Sequence, residues 1–362
     1  MNEQKTYPTP LQYLATSVKR VPIPIGALAL GLVALGGLLR PYWEPAAWIF
    51  GAMAAILLLM LVAKTVFFPR MVRHDLGNSI FASVAVGAFM AAMQIAVLFA
   101  PLAPQAMFVL WVVAVAAHAL WIVWFTWSFI RKFDLSQVFP TYFVCYVGII
   151  VASITSPTFG LEALGRGIWW FGFVAYMVLL VVVTLRYAKH EAPQPAKPLL
   201  CIYTAPMSLS LAGYCAVFDP NVHVAVLMEA LAQAFFVFVL IKLPPMLKLP
   251  FYPSYAAFTF PFVITASALS KTATLLGNPM WMGVLLAAET AFATAIVLYA
   301  TARYLVFLFK PERVAMANDL GNTALPAGTR DVSMRVFSPR IRRALLVAVR
   351  MRKMARRLRA RG

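Results

Sequence analysis

The chain has 362 residues, of which 62% are hydrophobic and 12% charged, with a formal net charge of +19 and a mean hydropathy of +0.82. This composition excludes a soluble domain and places the chain among integral membrane proteins. Cys145, Cys201 and Cys215 are odd in number and fall within apolar runs, so they imply no disulfide framework.

The first twenty residues are largely polar and end without a small-residue cleavage site, which argues against a removable signal peptide. Residues 1–20 are read as a cytoplasmic segment. Ten apolar runs follow, near 22–39, 46–67, 78–100, 105–130, 139–156, 164–186, 199–218, 222–243, 253–272 and 281–309. Each is about the length needed to cross ~30 Å of hydrocarbon at ~1.5 Å per residue. Taken in pairs, they begin near 22, 78, 139, 199 and 253, at spacings of 56, 61, 60 and 54 residues. The near-constant period predicts one helical-hairpin unit used five times. The predicted fold is therefore all-α and integral to the membrane, with ten transmembrane helices over residues 21–310.

Charge orients the bundle. Lys5, Lys19, Arg20, Lys64, Arg70, Arg73, Arg131, Lys132, Arg186, Lys189, Lys197, Lys242 and Lys248 fall on one side of the ten-span topology. Only Arg40, Arg166 and Lys271 fall on the other. The asymmetry places both termini in the cytoplasm.

Proline separates the two members of each pair. Pro22 and Pro24 open the first run, and Pro140, Pro206 and Pro261 lie in the fifth, seventh and ninth, while the even runs contain none within these bounds. A proline removes a backbone donor and kinks a helix, and freed backbone is tolerated in hydrocarbon only where protein or water covers it. The odd-numbered helices are thus predicted to form an inner ring around a central pore, and the even ones to face lipid. The third run has no proline, and Gly87 is its candidate bend. Well inside the odd runs there is no Asp, Glu, Lys, Arg or His. These runs offer small and hydroxylated residues such as Gly26, Gly31, Ser83, Thr141, Ser153, Ser208, Thr259 and Thr265. A path without carboxylate rings argues against a cation channel and allows anions or neutral solutes.

No enzyme constellation is visible. His74, His118, His190 and His223 are isolated, with no partner at metal-ligand spacing, and neither a phosphate-cradling glycine loop nor a nucleophile elbow is present. No cofactor is implied. His118 and Glu289 are ionisable groups within the fourth and tenth runs, where packing or interhelical hydrogen bonding is the favoured role and proton coupling the alternative. Residues 311–362 form a basic cytoplasmic tail. Its stretch from Arg340 to Arg361 interleaves apolar residues among arginines at roughly helical spacing, which suits an amphipathic helix on anionic lipid headgroups. A topogenic or disordered basic tail is the competing reading, and nucleic acid is not the expected partner.

The ninth run carries the sharpest signal, Tyr255-Ala-Ala-Phe258-Thr-Phe260-Pro261-Phe262 followed by Ala-Ser-Ala. With Pro22-Ile-Pro24-Ile-Gly26 in the first run, Pro140-Thr141-Tyr142 in the fifth, and Ala205-Pro206 with Tyr214 in the seventh, it resembles the tellurite-resistance/dicarboxylate transporter family. That family includes bacterial TehA and the plant slow anion channels. The resemblance covers residues 20–310. It departs in the missing proline of the third run and in Cys145, where close relatives of TehA have a second proline in the fifth. It implies transmembrane transport of small inorganic or organic anions by a gated, channel-like homotrimer in a cell membrane, the bacterial inner membrane, with one pore per protomer. Phe260 becomes the pore gate, and Pro24, Gly26, Pro140, Pro206 and Pro261 become pore-lining or kink positions. A proton-coupled C4-dicarboxylate carrier, or a sulfite or tellurite exporter, is the alternative within the family. A membrane-embedded enzyme or accessory subunit is the alternative outside it.

Overall fold

The computed structural model describes residues 17–131 and 133–309. Most of the N-terminal segment, Lys132 and the basic tail, with the amphipathic helix expected there, lie outside the described residues. Within them every regular element is helical. We number the α-helices α1 (Ile25–Leu39), α2 (Pro45–Phe67), α3 (Pro69–Asp75), α4 (Ser79–Val84), α5 (Gly87–Phe99), α6 (Pro104–Phe125) and α7 (Thr141–Tyr146). They continue as α8 (Ile150–Thr155), α9 (Glu162–Lys189), α10 (Ala205–Val217), α11 (Val222–Leu247), α12 (Phe260–Leu275) and α13 (Met280–Phe309).

Among the described residues, eight helical stretches are long and apolar enough to cross a membrane: α2, α4–α5, α6 with its following turn, α7–α8 with its following turn, α9, the stretch Gln194–Val217 ending in α10, α11, and α13. Helices α1 and α12 are apolar but shorter, at 15 and 16 residues. Local signals set the ends. Pro45 and Pro104 open α2 and α6, where the missing proline N–H costs no intrahelical bond. The Asn221 side chain caps α11 by accepting from the backbone of His223 and Val224. Gly277 and Asn278 turn the chain from α12 into α13 at φ 76° and 56°, left-handed values that glycine and asparagine accept most readily.

The helices fall into two kinds. Helices α2, α6, α9, α11 and α13 run unbroken and bury between 22 and 33% of their most apolar stretch. The other three long stretches are interrupted and bury 56, 67 and 78%, and α1 and α12 are buried along most of their length. The interrupted set touches in sequence: α1 packs on α5, α4 and α5 on α7 and α8, α8 on α10, α10 on α12, and α12 back on α1. Each unbroken helix lies against members of that set and turns Leu, Ile and Val outward, as at Leu59, Leu120, Val178 and Ile241.

Gly87 is the bend that the sequence suggested for the third run. The helix lapses at Ala85 and Val86 and resumes with Gly87 as its first residue. A Cβ there would lie 3.0 Å from the backbone of Ala27, and one at Gly26 would lie 2.8 Å from the Ala88 nitrogen. The two glycines thus bring α1 and α5 into backbone contact. Two expectations need correction. Pro244 and Pro245 lie inside α11, so the even-numbered helices are not free of proline once their true ends are known. Lys64 and Arg186, counted as loop cations, are buried. Lys64 pairs with Asp75 at 3.1 Å. The Arg186 guanidinium lies 4.3 Å from the centre of the Phe139 ring and donates to the His190 and Glu191 carbonyls just past the end of α9.

Gly87→Val should destabilise the detergent-solubilised protein by ~1–3 kcal/mol, the usual cost of overpacking. Gly283→Ala, where an added Cβ meets nothing within 4 Å, should leave thermal unfolding unchanged or slightly raised.

Candidate functional site

Phe260 is the first residue of α12, and the chain reaches it through two changes of conformation. Pro253–Phe258 forms a 3-10 turn, Thr259 departs from helical geometry at φ −108° and ψ −92°, and α12 then begins with Pro261 in its first turn. Pro261 therefore does not kink a running helix, as the sequence suggested. It starts one, at a position whose N–H would have no intrahelical acceptor. The Thr259 hydroxyl holds the break by donating to the Ala256 carbonyl at 2.7 Å, and it lies 3.4 Å from the Ala27 carbonyl on α1. Gly31 makes room for this junction. A Cβ at Gly31 would fall 2.4 Å from the Thr259 side chain and 2.9 Å from the Phe260 nitrogen.

Because the chain turns at Thr259, Phe258 and Phe260 do not lie on one straight helix. The neighbouring phenyl rings are nonetheless committed elsewhere. Phe258 is fully buried, 4.8 Å from the Tyr255 ring, and the Tyr255 hydroxyl donates to the Leu249 carbonyl. Phe262 lies 5.1 Å from Phe292 on α13 and 6.1 Å from Phe236 on α11. Phe260 belongs to neither aromatic cluster and is 6% exposed.

The other predicted positions share one structural character. Pro24 immediately precedes α1 and Pro140 precedes α7, while Pro206 sits in the first turn of α10, after the 3-10 stretch Gln194–Thr204. All four site prolines thus open buried helices. Gly26 is the second residue of α1. The structure brings Pro24, Gly26, Phe260 and Pro261 onto neighbouring helices, with Pro206 on α10 beside α12. Pro140 stands apart, at the start of α7 beside the Gln194–Thr204 stretch.

Short hydroxyls cross-link the buried helices. Ser208 and Thr265 share a hydrogen bond of 3.1 Å between α10 and α12, and Ser83 donates to Thr141 at 2.7 Å between α4 and α7. The buried Ser153 hydroxyl on α8 makes no hydrogen bond. Helices α1, α4, α5, α7, α8, α10 and α12 contain no Asp, Glu, Arg or His, and one Lys, Lys271.

The unbroken helices supply donors to these interruptions, a role the sequence offered for His118 but not for the tryptophans. Trp121 on α6 donates to the Ala82 carbonyl at 2.9 Å, beside the lapse between α4 and α5. His118 on the same helix meets the Cys145 carbonyl at 2.9 Å, beside the lapse between α7 and α8. A carbonyl only accepts, so Nε2 carries the His118 proton; Nδ1 has no partner. His118 is thus an interhelical hydrogen-bonding residue, the favoured reading. Trp111 and Trp169 also donate inward, to the Thr155 hydroxyl at the end of α8 and to the Ser210 carbonyl within α10. Tryptophans recurring on α6 and α9 were the available signal, masked because tryptophan is also common where helices meet the membrane interface.

His118→Leu and Trp121→Phe should each lower unfolding stability by ~1–3 kcal/mol, because each leaves a buried carbonyl unpaired. Trp124→Phe, at an indole 39% exposed, should cost clearly less in the same detergent melts.

The sequence model of the SLAC1 family, described as voltage-dependent anion channel, matches residues 20–305. No curated protein matches the chain. The match takes in α1 to α12 and most of α13, with every position that the motif resemblance singled out. It points to anion transport across a membrane. The chain belongs to the SLAC1 family, within the tellurite-resistance/dicarboxylate transporters.

Proposed function

We propose that the protein is a gated, channel-like pathway for small anions, with Phe260 as its gate. The observation that carries this reading is the set of interrupted helices. They contact one another in a closed order, present hydroxyls, glycines and apolar groups, and contain no carboxylate. A path lined this way does not hold cations, and its lack of fixed binding charges lets an anion leave as readily as it arrives. At the start of α12, Phe260 is the one phenyl ring of its run outside the flanking aromatic clusters. An apolar ring at such a break closes a narrow path by excluding water.

The reading counts ten crossings in five hairpins, with an inner ring made of α1, α4–α5, α7–α8, α10 and α12. Helix α12 crosses together with the 3-10 turn before it, and the two occupy residues 253–275. Helix α1 crosses as a thin member of ~22 Å at ~1.5 Å per residue. Both termini are cytoplasmic, from the charge asymmetry, and the membrane is a cell membrane. The family resemblance extends the proposal to a homotrimer with one path per protomer. A proton-coupled C4-dicarboxylate carrier, or a sulfite or tellurite exporter, ranks lower because the inner helices carry no Asp, Glu or His on which a substrate-coupled proton could ride.

Purified protein in liposomes should pass chloride or nitrate down a gradient. Phe260→Ala should raise that flux at least about threefold at equal protein density. Phe258→Ala should leave flux per folded protein unchanged while destabilising the protein by ~3 kcal/mol. Equal flux from wild type and Phe260→Ala removes the gate. A strict requirement for a proton gradient turns the channel into the carrier. Reporter fusions after residues 75, 134, 192 and 248 should be cytoplasmic, and two on the far side of the membrane would break the ten-crossing topology.

A further inference from the structure

Two carboxyl groups lie inside the apolar body, and the proposed conduction path uses neither. Glu229 on α11 and Glu289 on α13 are 6 and 3% exposed. Glu229 is well supplied: its Oε1 accepts from the Gln233 amide at 2.8 Å, and its Oε2 is 3.3 Å from the Thr272 hydroxyl on α12. Glu289 faces the same group: the Gln233 amide is its one nearby donor and Glu229 its like-charged neighbour, but that amide is directed at Glu229 and neither Glu289 oxygen meets a donor in hydrogen-bond geometry. Two turns beyond Glu229 and one beyond Glu289, Phe236 and Phe292 meet at 6.0 Å, which fixes the approach of α11 to α13. Phe262 joins them and closes the group on that side. Leu269, Ala273 and Met282, with Leu286 packed against them, form a separate apolar cluster between α12 and α13. Met282 and Leu286 lie seven and three residues before Glu289, on the face it shares.

A carboxylate buried in hydrocarbon whose one nearby donor already serves another acid is a poorly compensated charge, and the second carboxylate beside it adds repulsion. One proton on Glu289 removes both costs and leaves Glu229 the Gln233 amide, with the Thr272 hydroxyl in reach. The charged and titratable groups around the pair do not replace that proton. On α12 there is Lys271, and on α10 the Cys215 thiol, which interacts electrostatically with Lys271 and Glu229. Tyr214 on α10 receives the Asn221 N–H, and His223 stands in the first turn of α11. Helix α1 contains no titratable residue. Tyr299, Arg303 and Tyr304 lie ten or more residues further along α13, and Lys242 thirteen beyond Glu229 on α11. Lys197, Cys201 and Tyr203, in the Gln194–Thr204 stretch against α11, precede α10, whereas Tyr214 and Cys215 lie toward its far end. Tyr255, in the turn that packs on α13, precedes α12, whereas Thr272 and Lys271 lie toward the far end of that helix.

We infer that Glu229, Gln233, Thr272 and Glu289 form a proton-binding site that sets anion flux through α12. The inference rests on the proposed anion pathway. In the proposed topology the site lies toward the non-cytoplasmic side, about 10–13 Å along α11 and α13 from their starts. With both carboxyls ionised, the pair repels anions beside the helix that carries Phe260, and a proton taken from that side lowers this barrier. Wild-type flux in liposomes should therefore rise at least about threefold as the pH on that side falls from about 8 to about 5. Glu289→Gln should lose this dependence and hold the flux at the acid level throughout, because the amide imitates the neutral acid in shape and charge. If Glu289→Gln keeps the wild-type ratio, or wild-type flux does not vary with pH, the inference falls.

A second readout does not depend on transport. Infrared difference spectra of purified protein across the same pH range should show the carbonyl stretch of a protonated carboxyl in an apolar setting, absent from Glu289→Gln. A titration that moves with sodium concentration at fixed pH would make the pair a cation site and overturn the inference. An infrared band that behaves as described in a protein that passes no anion would leave the proton site standing and remove the anion pathway. Size-exclusion profiles establish that the variant is folded before either measurement.

Discussion

Every peptide group within hydrocarbon has to find its hydrogen bond inside the protein, because the cost of leaving one unpaired is several kcal/mol and no water is available to meet it. This chain interrupts its helices where α4 gives way to α5 and α7 to α8, and at the 3-10 leads into α10 and α12. Each interruption frees carbonyls. The structure covers the broken helices with unbroken ones and brings donors to the breaks. Trp121 reaches Ala82, His118 reaches Cys145, and the Tyr304 hydroxyl reaches the Pro253 carbonyl ahead of α12. The separation into a buried broken set and an exposed continuous set follows from that requirement.

The same requirement shapes the proposed path. A broken helix gives up regular hydrogen bonds but gains close approach, and glycine and short hydroxyls make the approach tolerable. Gly31 admits Thr259, and Gly26 and Gly87 bring α1 against α5. Ser208 with Thr265, and Ser83 with Thr141, tie adjacent broken helices without a charge. The charges buried elsewhere are mostly neutralised where they stand, Lys64 by Asp75 and Arg186 by carbonyls and the Phe139 ring. Glu289 is the exception, an acid whose oxygens meet no donor in hydrogen-bond geometry, and it lies off the proposed path, on the helix packed against α12.

Much of this architecture was legible in the linear chain because the bilayer imposes length, period and charge sidedness on any sequence that crosses it. The apolar runs, the presence of proline in four of the five odd-numbered runs and the family signature around Phe260 are local in sequence, and so is the suspicion that Gly87 marks a bend. What each proline does was not legible. Pro261 and Pro206 look identical to kinks in a string of letters, yet both begin helices, because the residues before them adopt 3-10 geometry that only packing against neighbouring helices selects.

The sequence by itself determined the class of the molecule, its apolar segments and the uncharged character of the odd-numbered runs, since all of these follow from composition and spacing. Only the tertiary structure decided which side chains meet. Glu229 and Glu289 are sixty residues apart in the chain, and His118 and Cys145 twenty-seven. No periodicity encodes such pairings. They arise because helices of near-uniform apolar composition dock by shape, through glycines and aromatic rings, and the polar partners are then carried to wherever that docking places them.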